Sequence, residues 1–400
     1  MQAIIDLTRC KSCKNSSEKV AGVSILMRHI ISLSRNQAEK IVVIQGEKSV
    51  LSGMEKDKRV TCPVVFSTDF ASAIKETSGD VFVIGEDVVY SQNLFKIDSP
   101  DNHILRFGEL AVFYIPDNEK KRIQDFNDLI GLSSVKELEG IYFRCIQDKS
   151  AIKKAEKEMV KGLRTSGDTL ISRLMNRSIS LWVTARIMHY PITPNFITTF
   201  NLLLGIAAVI CVWVIPGYWK QAIAGTLFHL SSVLDGCDGE IARLKFQGSK
   251  FGAKYDDFAD EFTNFLFYPG VGLYAAIYWF HLNTFILIIT LIGTFFYTIG
   301  KFIYFWLNTK IFHIDNVKYL QFYFEKNKEN WGKNPVLWVF KIGRHVVRND
   351  FLAFLAMVTG FLQLYWTAPY VVFVFGTAYF ISIFLELLNA LKKRRSQSVS

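Results

Sequence analysis

The chain has 400 residues, 50% of them hydrophobic, with 34 Phe, a net charge of +10 and a mean hydropathy of +0.21. That apolar content exceeds what an ordinary soluble domain buries, which excludes a wholly soluble enzyme and predicts membrane embedding. The positive charge then points to contact with an acidic inner leaflet before it points to nucleic acid.

In chain order, the first part reads as soluble up to about Gly167, with short apolar runs broken by charge. Strand-like runs at Ile41–Ile44, Val64–Phe66, Val81–Ile84 and Leu110–Ile115 alternate with helical stretches at Ile25–Ser34 and Phe70–Glu76. A small cytosolic α/β domain over residues 1–160 is the expectation. Met1–Val50 lacks the basic start, single apolar run and small-residue cleavage site of a signal peptide, so none is expected. Cys10 and Cys13 form a C-x-x-C, but no second pair or His pair completes a zinc site, and the cytosolic side favours reduced thiols.

Residues 161–190 read as a linker ending in an interfacial amphipathic helix, Asp168–Tyr190. Its expected apolar stripe is Ile171, Leu174, Met175, Leu181 and Trp182, with Arg173, Asn176, Arg177 and Thr184 facing away. From about Pro191 the pattern changes to long apolar segments. Six transmembrane helices are expected over residues 191–395, near Asn195–Ile215, Trp219–Leu234, Asp256–Phe280, Asn283–Trp306, Phe351–Trp366 and Pro369–Ala390. The connections Arg243–Lys254 and Lys301–Arg348 and the tail Lys392–Arg395 are basic, whereas those near Gly217, His281 and Thr367 carry almost no charge. Under the positive-inside rule, the N-terminal domain, the basic loops and the C-terminus are cytoplasmic.

Between spans two and three lies an acidic stretch, "LDGCDGEIARLKFQGSKFGAKYDDFADEF". Asp235 and Asp238 stand at i and i+3 on one helix, and Asp256 and Asp260 at i and i+4 on the next, so each pair shares a face. An antiparallel helix pair brings the four carboxylates together, where they repel unless a cation sits among them. Hard oxygen ligands favour Mg²⁺ or Mn²⁺. Gly239 and Gly252 leave backbone open to a ligand, Ala242 keeps the adjoining turn small, and Arg243 offers a fork suited to phosphate oxygens. An isolated Asp pair at a membrane boundary would be read as a solvated cap; four acids with glycines and an arginine are more than that.

The spacing of Asp235, Asp238-Gly239, Ala242-Arg243, Gly252, Asp256 and Asp260 resembles the signature of the CDP-alcohol phosphotransferase family. That resemblance implies a six-span membrane enzyme that displaces CMP from a CDP-alcohol with the hydroxyl of a second alcohol. It implies Asp235, Asp238 and Asp256 as ligands of two divalent metals, and Asp260 as a ligand that doubles as base. Gly239, Ala242, Arg243, Ser249 and Gly252, with Asn195 and Thr198 in "TPNFIT", fall at positions that hold the CDP moiety. For the acceptor, Arg348 opens span five beside the implied cavity, and Lys301 and Arg344 are further cationic candidates.

"DGCDGEIARLKF" and the preceding helix resemble the branch that joins CDP-inositol to inositol phosphate, with a homodimer as one candidate assembly. In that branch a nucleotidyltransferase precedes the membrane domain. "EKVAGVSILMRHI", "AEKIVVIQG" and "GDVFVIGED" resemble such an enzyme in order and rhythm. Here, however, the first strand runs into "DLTRCKSCKN", without the Gly-rich loop whose N–H groups cradle phosphates. Gly85-Glu86-Asp87 supplies one candidate carboxylate, but Gln147 stands where the second is needed, with Asp148 one place off. A degenerate domain acting as scaffold is expected. Two alternatives are a phospholipid synthase using CDP-diacylglycerol and an ion-coupled transporter. The transporter is disfavoured by the clustering of the acids at one membrane face.

Overall fold

In a computed structural model of the chain, residues 2–7, 18–44, 57–85, 88–90, 94, 104–107, 112–123, 126–136, 143–146, 148–164, 175–307 and 349–398 are described. The chain divides into two compact units. The first comprises Met1–Arg164 with the short segments Ala185–Pro191 and Arg243–Phe246, and the second comprises Thr165–Thr184, Ile192–Ala242 and Gln247–Ser400.

The first unit is α/β. Strands β1 (Gln2–Asp6), β2 (Lys19–Val20) and β3 (Val23–Ser24) lead into helix α1 (Ile25–Arg35), followed by β4 (Lys40–Ile44) and β5 (Val64–Ser67). Next come α2 (Phe70–Lys75), β6 (Val81–Gly85), β7 (Val88–Tyr90), β8 (Leu105–Phe107) and β9 (Val112–Ile115). Helix α3 (Phe126–Leu132), strands β10 (Ser134–Lys136) and β11 (Phe143–Cys145), and α4 (Lys149–Lys161) complete it. A seven-stranded sheet has the order β10-β8-β9-β6-β1-β4-β5. Its parallel centre sets Ile4 opposite both Val42 and Val83, and β9 runs antiparallel to β6.

Both faces of that centre are covered, which is why its strands read as continuous apolar runs. Ile4, Val42 and Val83 pack with Phe70, Ile74 and Phe126 of α2 and α3. Ala3, Ile5, Val43 and Ile84 pack with Leu26, Ile30 and Leu33 of α1. The expected strands and helices all occur, with ends shifted by one or two residues. Leu110 is the exception, because it lies outside the described residues. Asp148, near the expected second metal carboxylate, accepts from the Ala151 N–H at 2.7 Å and caps α4. Cys10, Cys13, Glu86, Asp87 and Gln147 lie outside the described residues.

The remaining helices are α5 (Arg177–Ile187), α6 (Pro194–Val214), α7 (Lys220–Leu244), α8 (Lys250–Tyr278), α9 (Thr284–Trp306), α10 (Asn349–Phe361) and α11 (Ala368–Ser398). Among the described residues, Pro194–Val214, Thr284–Trp306 and Tyr365–Leu385 are long and apolar enough to cross a membrane. Helices α7 and α8, with 25 and 29 residues, exceed the roughly 20 needed to cross, but both carry charge near their shared loop. Helix α10 is a shorter apolar helix of 13 residues.

The packing of the second unit depends on small residues. A Cβ added at Gly376 of α11 would lie 2.1 Å from the carbonyl oxygen of Gly293 on α9, so the two backbones meet at van der Waals distance. At Gly205 of α6 the added atom would meet the Thr263 methyl of α8 at 2.1 Å.

Candidate active site

Helix α6 starts with Thr193 as N-cap and Pro194 in its first turn, which sets Asn195 and Thr198 on the opening turns. Thr198 is buried and donates from Oγ1 to Asp238 Oδ2 at 2.5 Å, tying α6 to α7. Helix α8 starts at Ser249, whose hydroxyl accepts from the Gly252 N–H at 2.9 Å. A side chain at Gly252 would place its Cβ 2.9 Å from Asn195 Oδ1, so this glycine and Asn195 are neighbours. Thr199 and Tyr255 add a hydroxyl contact of 2.9 Å between α6 and α8.

Against this frame, carboxylate oxygens of Asp235 and Asp238 on α7 and of Asp256 on α8 converge to within 4.8 Å of one another. Asp238 is buried, and the other two are half-buried. Three carboxylates at that spacing, one taken out of water, repel strongly unless a cation compensates them, and an all-oxygen donor set fits a hard divalent ion. Asp260, one turn further along α8, is not among the three. Gly239 and Ala242 are half-buried on α7, while Arg243 is exposed near its end. Lys301 pairs with Glu261 at 2.5 Å and lies over the Tyr297 and Tyr379 rings. Arg344 and Arg348 lie outside the described residues.

Of the expected linker helix, Ile171, Arg173 and Leu174 lie outside the described residues; in the rest Met175 and Trp182 are exposed, at 37% and 58%, while the buried face is polar, with Asn176, Ser180 and Thr184 beside Leu181. The cause is Glu240, which the motif reading passed over. About 200° around α7 from Asp238, it points away from the acid cluster and is fully buried. Its Oε1 accepts from Arg177 Nη1 and Ser180 Oγ, each at 2.8 Å, and its Oε2 accepts from Thr184 Oγ1 at 2.6 Å. Gly236 and Cys237 lie on the same flank. The Cys237 thiol contacts the Ser180 carbonyl at 3.5 Å, and a Cβ at Gly236 would meet the Ser180 hydroxyl at 3.4 Å. A carboxylate two residues past a metal-type aspartate, with an arginine on the preceding amphipathic helix, was the available signal.

Residues 191–318 match the CDP-alcohol phosphatidyltransferase family. A bifunctional IPC transferase and DIPP synthase from Thermococcus kodakarensis is 30% identical, with the alignment covering 62% of this chain and 68% of the relative. The chain belongs to the CDP-alcohol phosphatidyltransferase family. A protein of the same name from Aquifex aeolicus is 27% identical over 52% of this chain; the chain spans about half of that relative, 47% of its length. Among solved structures, the inositol-1-phosphate CTP transferase from T. maritima aligns with 40% of this chain and 96% of its own, at 13% identity and a TM-score of 0.31. This member of the family is a transferase and a membrane protein, and the transporter alternative falls.

Proposed function

We propose that the chain transfers a phosphoalcohol from a CDP-alcohol, CDP-inositol in the favoured reading, to the hydroxyl of an acceptor such as an inositol phosphate. A phosphodiester forms and CMP leaves. The observation that carries this reading is the convergence of Asp235, Asp238 and Asp256 from two helices that also carry Gly239, Arg243 and Gly252. In this reading the three carboxylates, with Asp260, hold a pair of Mg²⁺ or Mn²⁺ ions, whose chemistry neutralises the diphosphate and stabilises the departing CMP. Thr198 fixes the Asp238 carboxylate by its hydrogen bond, and the Gly252–Asn195 approach keeps one wall of the nucleotide site free of side chains. Arg243 holds phosphate oxygens through its fork. Asp260 takes the proton of the acceptor hydroxyl as its oxygen attacks the phosphorus bearing the donor alcohol, and the bond from that phosphorus to the CMP oxygen breaks.

The topology belongs to the proposal too: six crossings, with the basic loops, the acid cluster and both termini on the cytoplasmic side. The α/β unit serves as a scaffold without nucleotidyl transfer of its own. Purified protein in detergent, given CDP-inositol and inositol 1-phosphate, is expected to release CMP with Mg²⁺ and to stop on EDTA treatment. Metal-independent CMP release removes the mechanism. Parallel reactions with CDP-diacylglycerol and CDP-glycerol decide the donor, and turnover of only the lipid donor replaces the inositol reading with lipid synthesis.

A further inference from the structure

Helix α7, which carries Asp235, Asp238 and Arg243, ends in an unusual way. The Gln247 N–H bonds the Ala242 carbonyl at 2.9 Å, the closing bond of a Schellman C-cap, and the left-handed position of that motif falls on Phe246 at φ +55°. Glycine takes this conformation without steric cost, and an aromatic residue does not. The residue there is therefore held for its ring. That ring is 1% exposed and packs with Val23, Met27 and Ile31 in the first unit, of which Arg243–Phe246 is a segment.

Arginines of the α/β unit complete the grip. The Arg28 and Arg35 guanidinium carbons lie 5.2 and 5.3 Å from the ring centroid. Arg35 Nη2 also donates to the Phe246 carbonyl at 2.7 Å, and Arg59 Nη1 donates to the Lys245 carbonyl at 2.8 Å. Asp57 fixes Arg59 through contacts of 2.6 and 2.9 Å. Lys245 in turn donates to the Tyr190 carbonyl, and a Cβ at Gly22 would lie 2.5 Å from the Met188 carbonyl oxygen, so the Ala185–Pro191 segment is seated in the same unit.

We propose that the α/β unit acts as a clamp on the loop joining α7 to α8, with Phe246 as the anchor, and so sets the spacing of Asp235 and Asp238 against Asp256. Phe246 is a positioning residue; it lies three residues after Arg243 and three before the Ser249 cap. Transfer chemistry at a carboxylate cluster tolerates little misplacement, so loosening the loop costs turnover more than it costs substrate affinity. The inference rests on the transferase reading of the acid cluster, but one arm of its test does not.

In full-length protein, Phe246→Ala is expected to lower kcat about 10-fold or more per monodisperse, folded molecule with KM little changed, while Phe246→Tyr keeps the ring and stays near wild type. Arg35→Ala, on the α/β side, is expected to speed amide hydrogen exchange across residues 247–256 about tenfold while residues 286–300 of α9 exchange as before. A Phe246→Ala enzyme with wild-type kcat, or unchanged exchange in Arg35→Ala, overturns the clamp. A wild-type protein that releases no CMP overturns the transferase reading instead and leaves the exchange result to decide the clamp. If Phe246→Ala does not fold, Arg35→Lys serves the kinetic arm, because a lysine cannot stack on the ring and cap the carbonyl together.

Discussion

Asp256 and Asp260 stand one turn apart on α8, yet only Asp256 shares the cluster with Asp235 and Asp238. That difference divides their expected roles. Asp235→Asn or Asp256→Asn should raise the Mg²⁺ concentration needed for activity and weaken donor binding together. Asp260→Asn should cut kcat by about 10²–10⁴-fold while CDP-alcohol binding, read by calorimetry, stays close to wild type. Equal loss of binding in all three variants would merge the roles. Glu240 yields a second expectation at this scale. Glu240→Ala removes the buried acceptor shared by Arg177, Ser180 and Thr184 and should cost about 1–3 kcal/mol, seen as a fall in thermal midpoint. Glu240→Gln keeps the shape and should cost less. A wild-type midpoint in the alanine variant would mean the buried pair contributes nothing to stability.

At the scale of elements, what could be read from the sequence depended on how far apart the partners lie. The Asp235–Asp238 side of the acid cluster was legible because three residues apart on a helix fixes a shared face without knowledge of the fold; the same argument set Asp260 beside Asp256, and of those two only Asp256 joins the cluster. The buried face of α5 was not legible, because the donors to Glu240 lie 63, 60 and 56 residues before it, beyond the reach of local periodicity. Strands β7, β8, β10 and β11 escaped for another reason. Three residues are too few for an alternation to stand out from chance. Helix pairing gives its own expectation: Gly376→Val forces α9 and α11 apart, because the obstacle is the Gly293 backbone and not a side chain that can turn away. The cost should be about 1–3 kcal/mol, visible as a lower melting temperature in detergent. An unchanged melting temperature would show that the pair separates freely.

For the whole molecule, the question is whether the α/β unit makes the donor that the helical part would use. Its sheet is covered on both faces, and that two-sided core was legible from the continuous apolar runs of the central strands, whereas the strand order was not. The sequence between β1 and β2 has no glycine with which to cradle a triphosphate, and Asp148 is committed to capping α4. Full-length protein given CTP, Mg²⁺ and inositol 1-phosphate is therefore expected to release no pyrophosphate, while CDP-inositol supplied from outside is consumed. Pyrophosphate release would make the protein bifunctional.

The bonds to Glu240 also bear on where the catalytic module begins. The family match starts at residue 191, after α5, and a chain cut there would keep every residue of the acid signature. It would also keep Glu240 while discarding Arg177, Ser180 and Thr184, which donate to it. A buried carboxylate stripped of its partners either takes up a proton or drags its helix toward water, and this helix carries Asp235 and Asp238. The smallest portable unit of this enzyme is thus longer than its recognisable motif: any graft into another protein has to carry α5 along, or replace residue 240 with an apolar side chain.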